Sequence, residues 1–157
     1  MPARPASASG AVMERHKERR LLQGAVALAC LVPISAGLAG AAEGTGLIGG
    51  RLPTGNPDLE SHFRYLSGLL LGLGLAFAAS LPTIERRAEL FTVLSALVVV
   101  GGIARLLGLL AHDWPGAPHL LALGMELLVL PLLFVWQRRV ARRFAGPRGC
   151  NSSACSS

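Results

Sequence analysis

The chain has 157 residues, 52% of them apolar and only 15% charged, with fifteen Lys and Arg against nine Asp and Glu. Soluble domains carry about 25% charged residues, and a single compact unit of this length has too little polar surface to cover so much apolar sequence. The net charge of +6 does not point to nucleic acid. The basic residues flank apolar runs, and aromatics are scarce outside those runs, so there is no stacking platform.

Residues 1–20 are rich in Pro, Ala and Ser and then strongly charged, from Glu14 through Arg15, His16, Lys17, Glu18 and Arg19 to Arg20. Met13 is an alternative start. Residues 21–42 carry no charge and are long enough to cross a ~30 Å hydrocarbon core. Further apolar runs cover residues 62–81, 89–111 and 119–137, closed by Pro82, by the turn from His112 to Pro118, and by Gln137-Arg138-Arg139. The expected fold is all-α: a polytopic membrane four-helix bundle over residues 21–143, with a basic N-terminal segment (1–20) and a disordered tail (144–157). Short connections between spans two, three and four favour antiparallel neighbours. The first connection, Glu43 to Ser61, is longer and rich in glycine and proline (Gly44, Gly46, Gly49, Gly50, Pro53, Gly55, Pro57).

Flanking basic residues orient such a bundle. Five lie before the first span (Arg4, Arg15, Lys17, Arg19, Arg20), two after the second (Arg86, Arg87) and five after the fourth (Arg138, Arg139, Arg142, Arg143, Arg148), whereas the other side holds only Arg51. Both termini are therefore expected in the cytoplasm (N-in/C-in). A rival reading takes the first span as a cleaved signal peptide, because Ala39-Gly40-Ala41-Ala42 resembles a small-residue cleavage site. The span is longer than a typical h-region, and cleavage would leave three spans and the same C-terminal orientation. Cys30, inside an apolar run, reads as a small buried hydrophobe. Cys150 and Cys155 fall in the polar tail, where thiols on the cytoplasmic side stay reduced.

Charges within a span cost several kcal/mol unless paired. Arg64, Arg105 and Glu126 are such charges, and Glu60 sits just before the second span. Counting from the helix ends at ~1.5 Å per residue puts Arg105 roughly 9 Å and Glu126 roughly 10 Å below the outer surface. Spans three and four are joined by a short outer turn, so the two are expected to form an ion pair. Gly101, Gly102 and Gly108 share the Arg105 face. Glu60, Arg64, Ser67, Gly68 and Gly72 share a face of span two, with a GxxxG pair at Gly68/Gly72; small residues of this kind let helices approach closely. His119, Ala122 and Glu126 share a face of span four. These faces are expected to point inward, so that two acids and two bases converge near the outer end without net charge.

Two roles are open to that cluster, holding the bundle in register and binding a small polar ligand or ion. Catalysis is disfavoured, since Ser67 is the only hydroxyl on its face and has no paired base. The reading leans away from an enzyme, no cofactor can be named, and no metal site is expected. His62, His112 and His119, with Asp113, fall at the outer surface in no compact ligand pattern. Pro131 removes one hydrogen bond from span four, a kink that membrane helices tolerate. Trp114 and Trp136 suit an aromatic belt, with Phe63 and Tyr65 as similar anchors of span two.

The segment Ser61-His62-Phe63-Arg64-Tyr65-Leu66-Ser67-Gly68-Leu69-Leu70-Leu71-Gly72-Leu73-Gly74 resembles the signature of the DUF4345 family of bacterial membrane proteins. So do Gly101-Gly102-Ile103-Ala104-Arg105-Leu106, Glu126-Leu127-Leu128-Val129-Leu130-Pro131 and Trp136-Gln137-Arg138-Arg139-Val140. The resemblance covers roughly residues 21–143 and implies four spans in a bacterial plasma (inner) membrane. It makes Arg64, Arg105 and Glu126 part of a family pattern and assigns no reaction. Three functional classes follow: a membrane protein with a ligand-binding or structural polar cluster; an interaction subunit or homo-oligomer using the Gly68/Gly72 face; and, through a likeness to DoxX-like proteins, a membrane redox enzyme or accessory protein. The lipid bilayer is the one partner common to all three.

Overall fold

The computed structural model describes residues 6–48, 56–111 and 116–144. The expectations placed on Arg4, on Gly49, Gly50, Arg51, Pro53 and Gly55, on His112, Asp113 and Trp114, and on Arg148, Cys150 and Cys155 fall outside those residues.

Helix α1 runs Ala6–Glu43 and ends in a single 3-10 turn, Gly44–Ile48. It begins well before the apolar run, carrying the charged segment as helix. Helix α2, Pro57–Ser80, starts on an Asn56 cap whose side-chain oxygen accepts from the Asp58 and Leu59 amides, with Pro57 in the first turn. A capping oxygen and an early proline are what a helix N-terminus needs, because its first amides have no intrahelical acceptors. A 3-10 turn, Leu81–Thr83, leads to α3, Ala88–Ala111. The fourth span is broken into α4 (Ala117–Gly124), a π turn (Met125–Val129) and α5 (Leu130–Phe144). All four spans are long and apolar enough to cross a membrane.

Pro131 accounts for the π turn. It has no amide to give the Leu127 carbonyl, and its ring crowds that position. The helix widens instead, and the Leu130 amide reaches back to the Met125 carbonyl, five residues away. The expected loss of one hydrogen bond thus becomes a local change of helix type.

The helices form a ring in which α1 touches α2 and α5, and α3 touches α2 and α5; α1–α2 is the most extensive pair, and among the described residues no Cα of α1 comes within 8 Å of α3, nor any of α2 within 8 Å of α5. The core lies toward one end of this ring. Its buried apolar side chains are Leu22, Val26 and Cys30 of α1, Phe77 of α2, Ile84 of the turn, Phe91 and Leu94 of α3, and Leu133 and Val140 of α5. With the first span taken as residues 21–42 and the fourth as 117–144, each lies in or next to the half of its span nearest the flanking arginines, the basic end. Phe77 and Phe91 meet edge-on at 5.2 Å between ring centroids, a favoured aromatic geometry.

Polar side chains also tie this end together. Around the α2–α3 turn, Arg19 donates to the Pro82 carbonyl (2.7 Å), Gln23 to Leu81 (2.7 Å), and the fully buried Gln137 to Ile84 (2.8 Å). Arg19 also lies 3.1 Å from Glu85, and Arg143 pairs with Glu18. These contacts satisfy carbonyls that the end of a helix leaves without donors.

The opposite half is held differently. No Cα of α4 or of the π turn comes within 8 Å of α1 or α2 among the described residues. There α1 and α2 form one arm, and α3 with the upper fourth span forms another.

Candidate functional site

The intramembrane charges gather in that opposite half, but as two pairs on separate arms rather than one cluster. On the first arm, Arg64 Nε donates to Glu60 Oε1 at 2.6 Å, and its Nη1 donates to the carbonyls of Ala41 (2.6 Å) and Ala42 (3.0 Å). Glu60 Oε2 accepts from the Thr45 amide (2.9 Å) and hydroxyl (2.6 Å). The end of α1 offers unpaired carbonyls and the negative end of the helix dipole, and a guanidinium suits both. Gly44 turns the chain here with φ of 62°, and a Cβ on it would fall within 1.8 Å of Glu60 Oε1. This pair therefore caps a helix and fixes the start of the loop.

The α1–α2 contact that supports it is made of small residues. A Cβ on Gly37 would lie 2.6 Å from the Leu71 amide, one on Gly40 would lie 2.3 Å from Ser67 Oγ, and one on Gly74 would lie 2.8 Å from Ile34. Ser67 is buried, facing Gly40. Phe63 also reaches Gly40 and so packs on α1, while Tyr65 is exposed. Gly68 and Gly72, expected to face inward, have nothing within 4 Å of a Cβ built on them. The face of α2 turned to α1 runs Glu60, Arg64, Ser67, Leu71, Gly74, about one residue around the helix from the expected stripe. The close approach comes instead from Gly37, Gly40 and Gly44. The spacing Gly40-x-x-x-Gly44 was present in the sequence as a small-residue packing signal, although its alanines also resemble a cleavage site.

On the second arm, Arg105 and Glu126 meet as expected for helices joined by a short turn. Arg105 Nε lies 3.1 Å from Glu126 Oε2, and Nη2 lies 3.2 Å from Oε1, a two-point fork. Gly102 makes the pairing possible. A Cβ there would stand 2.9 Å from both Glu126 Cβ and Leu127 Cδ2, so only glycine lets α3 approach the π turn this closely. Gly101, by contrast, has open space where a side chain would go, and so does Gly108. Glu126 lies within the π turn itself. The Arg105 side chain is 38% exposed and that of Glu126 17%. No hydrogen bond or ion pair joins the two pairs among the described residues.

The fourth span that carries Glu126 also lines an open apolar groove of about 640 Å³, bounded by Val32 of α1 and by residues including Leu121, Ala122, Met125, Leu128 and Val129. Met125 and Glu126 are neighbours in the π turn, so the groove wall and the ion pair share one element. Sequence reading had no signal for the groove, which depends on the arms standing apart. It also assigned no packing role to Gln23, Ile84, Glu85 or Gln137 at the basic end, whose contacts depend on the α2–α3 turn. Among the described residues no three His, Cys, Asp or Glu side chains come together as a metal site, and His62 and His119 are exposed.

No curated protein and no solved structure matches the chain. A family model does, over residues 21–137, which takes in most of each of the four spans and every charged residue of both pairs. The chain belongs to the family described as a domain of unknown function (DUF4345).

Proposed function

We propose that this chain is a multi-pass protein of the bacterial plasma membrane, with both termini cytoplasmic, that binds a small amphipathic ligand in the outer half of its bundle. The carrying observation is the partly exposed Arg105–Glu126 fork, whose Glu126 stands on a π turn that also lines an open apolar groove. Intramembrane charges commonly mark ligand or ion pathways, π turns often accompany functional sites, and an apolar wall beside a few polar groups is the usual make-up of a ligand site. Glu126 uses Nε and Nη2 of Arg105, which leaves Nη1 to donate to an acceptor on a ligand head group. The tail would lie along Leu121, Met125 and Leu128. In this reading Glu60 and Arg64 are structural, holding the end of α1.

The test is photolabelling in proteoliposomes with a long-chain fatty acid carrying a diazirine in its tail. Adducts concentrated on residues 118–129, and lost when Leu121→Trp/Leu128→Trp fills the groove, support the proposal. Adducts spread evenly over all lipid-facing residues refute it.

A second reading, an interaction subunit or homo-oligomer, draws on the open faces at Gly68, Gly72 and Gly101. It predicts that Gly68→Val/Gly72→Val lowers the assembled mass measured by analytical ultracentrifugation in detergent. An unchanged mass counts against it.

A further inference from the structure

The basic end holds a second concavity that neither charge pair explains. It is a groove of about 680 Å³ along α5, floored by Phe134 and Val135 and walled by Arg138, Arg139, Arg142 and Arg143. The four arginines are not equivalent. Arg143 is tied to Glu18 of α1, much as Arg19 is engaged with Glu85. Arg138 stacks on the Phe134 ring, 5.4 Å from its centroid, and has no carboxylate partner among the described residues. Arg139 and Arg142 are exposed and make no ion pair among the described residues. Three guanidiniums therefore line one groove with their charge uncompensated. An apolar floor continues from them toward the membrane-spanning part of the helix.

We infer that this groove is a binding site for an anionic phospholipid, with the phosphodiester head group held by Arg138, Arg139 and Arg142 and an acyl chain lying against Phe134 and Val135. Charge and shape both favour this occupant. Guanidinium forks match phosphate oxygens in pairs, and a basic patch at the membrane surface attracts anionic lipid. The Phe134–Val135 floor selects a lipid over free phosphate, which would gain nothing from it. The flanking charge that orients a membrane protein requires basic residues on this side, but it does not require them to converge on a groove with an apolar base. Arg86 and Arg87 are exposed basic residues at the same end that do not line this groove, and they provide the control.

The chain has two tryptophans, and Trp136 lies within the groove's stretch of helix. In a Trp114→Phe background, Trp136 fluorescence is measured in phosphatidylcholine vesicles containing equal mole fractions of brominated phosphatidylglycerol or brominated phosphatidylcholine. The site predicts preferential quenching by the brominated phosphatidylglycerol, corresponding to an exchange preference of at least about fivefold. This preference persists in 10 mM-order (~10 mM) inorganic phosphate, at which a lipid surface is only partly screened. It disappears in Arg138→Gln/Arg139→Gln/Arg142→Gln, is weakened in the corresponding lysine triple, which keeps the charge but not the forks, and is unaffected by Arg86→Gln/Arg87→Gln. Equal quenching by both lipids in the unsubstituted protein overturns the site, as does an equal loss in the Arg86/Arg87 control, which would assign the preference to overall surface charge. Abolition by inorganic phosphate overturns the lipid as occupant.

Discussion

Gly40 and Gly68 are both span glycines in small-residue patterns, yet their surroundings predict opposite behaviour. A side chain at Gly40 must displace Ser67 and Phe63, whereas one at Gly68 enters open space. Gly40→Val should therefore destabilise the chain by about 1–3 kcal/mol, the usual cost of overpacking a tight contact. Gly68→Val should change the stability of a single chain by less than about 0.5 kcal/mol. Reversible unfolding in mixed micelles checks both values, and equal effects would contradict the face assignment. At the basic end, Gln137 is fully buried and bonded to the Ile84 carbonyl. Gln137→Met keeps the length of the side chain but leaves that carbonyl without its donor, so a loss of about 1–3 kcal/mol is expected in the same assay.

Among the elements, the broken fourth span links local sequence to the position of a charge. Pro131 forces the π turn, and the π turn carries Glu126 toward Arg105. Pro131→Ala restores an amide and permits a regular α-helix, which has fewer residues per turn and changes the direction of Glu126. The coupling between Arg105 and Glu126, expected near 0.6 kcal/mol for a polar pair in a membrane, should then fall toward zero in a double-mutant cycle made in the Pro131→Ala background. Unchanged coupling would mean that the π turn does not position the pair. The four spans were legible because apolar runs of this length have few alternatives, and the Arg105–Glu126 pair was legible because a short turn sets the relative depth of two helices. The Gly68/Gly72 face was misjudged because several small-residue stripes on one helix look alike in sequence. The choice between them depends on which stripe meets a partner, and here α1 supplied it through Gly37, Gly40 and Gly44. The separation of the two charge pairs was hidden for a related reason: helical faces fix directions on each helix, but not the spread between arms.

The whole molecule divides into a half packed around Leu22, Phe77, Phe91 and Leu133, with the Gln137 and Arg19 contacts closing its end, and a half held by glycine contacts and two ion pairs. Local opening is expected where buried apolar contacts are few. Amides of α4 and the π turn should therefore exchange before those of α5 in hydrogen-exchange mass spectrometry on the protein in nanodiscs. In the ligand-site account, the loosely packed half away from the basic end admits a ligand from the bilayer, and a firm basic half keeps the bundle assembled while it enters. The most direct measurement compares the unsubstituted protein with Arg105→Gln/Glu126→Gln, following thermal unfolding and diazirine fatty-acid labelling on the same samples. The ligand-site account predicts a folded variant whose labelling of residues 118–129 is largely lost. A variant that unfolds or dissociates would instead assign the pair to assembly, and a folded variant with undiminished labelling would show that the pair does not hold the ligand; either result contradicts the account.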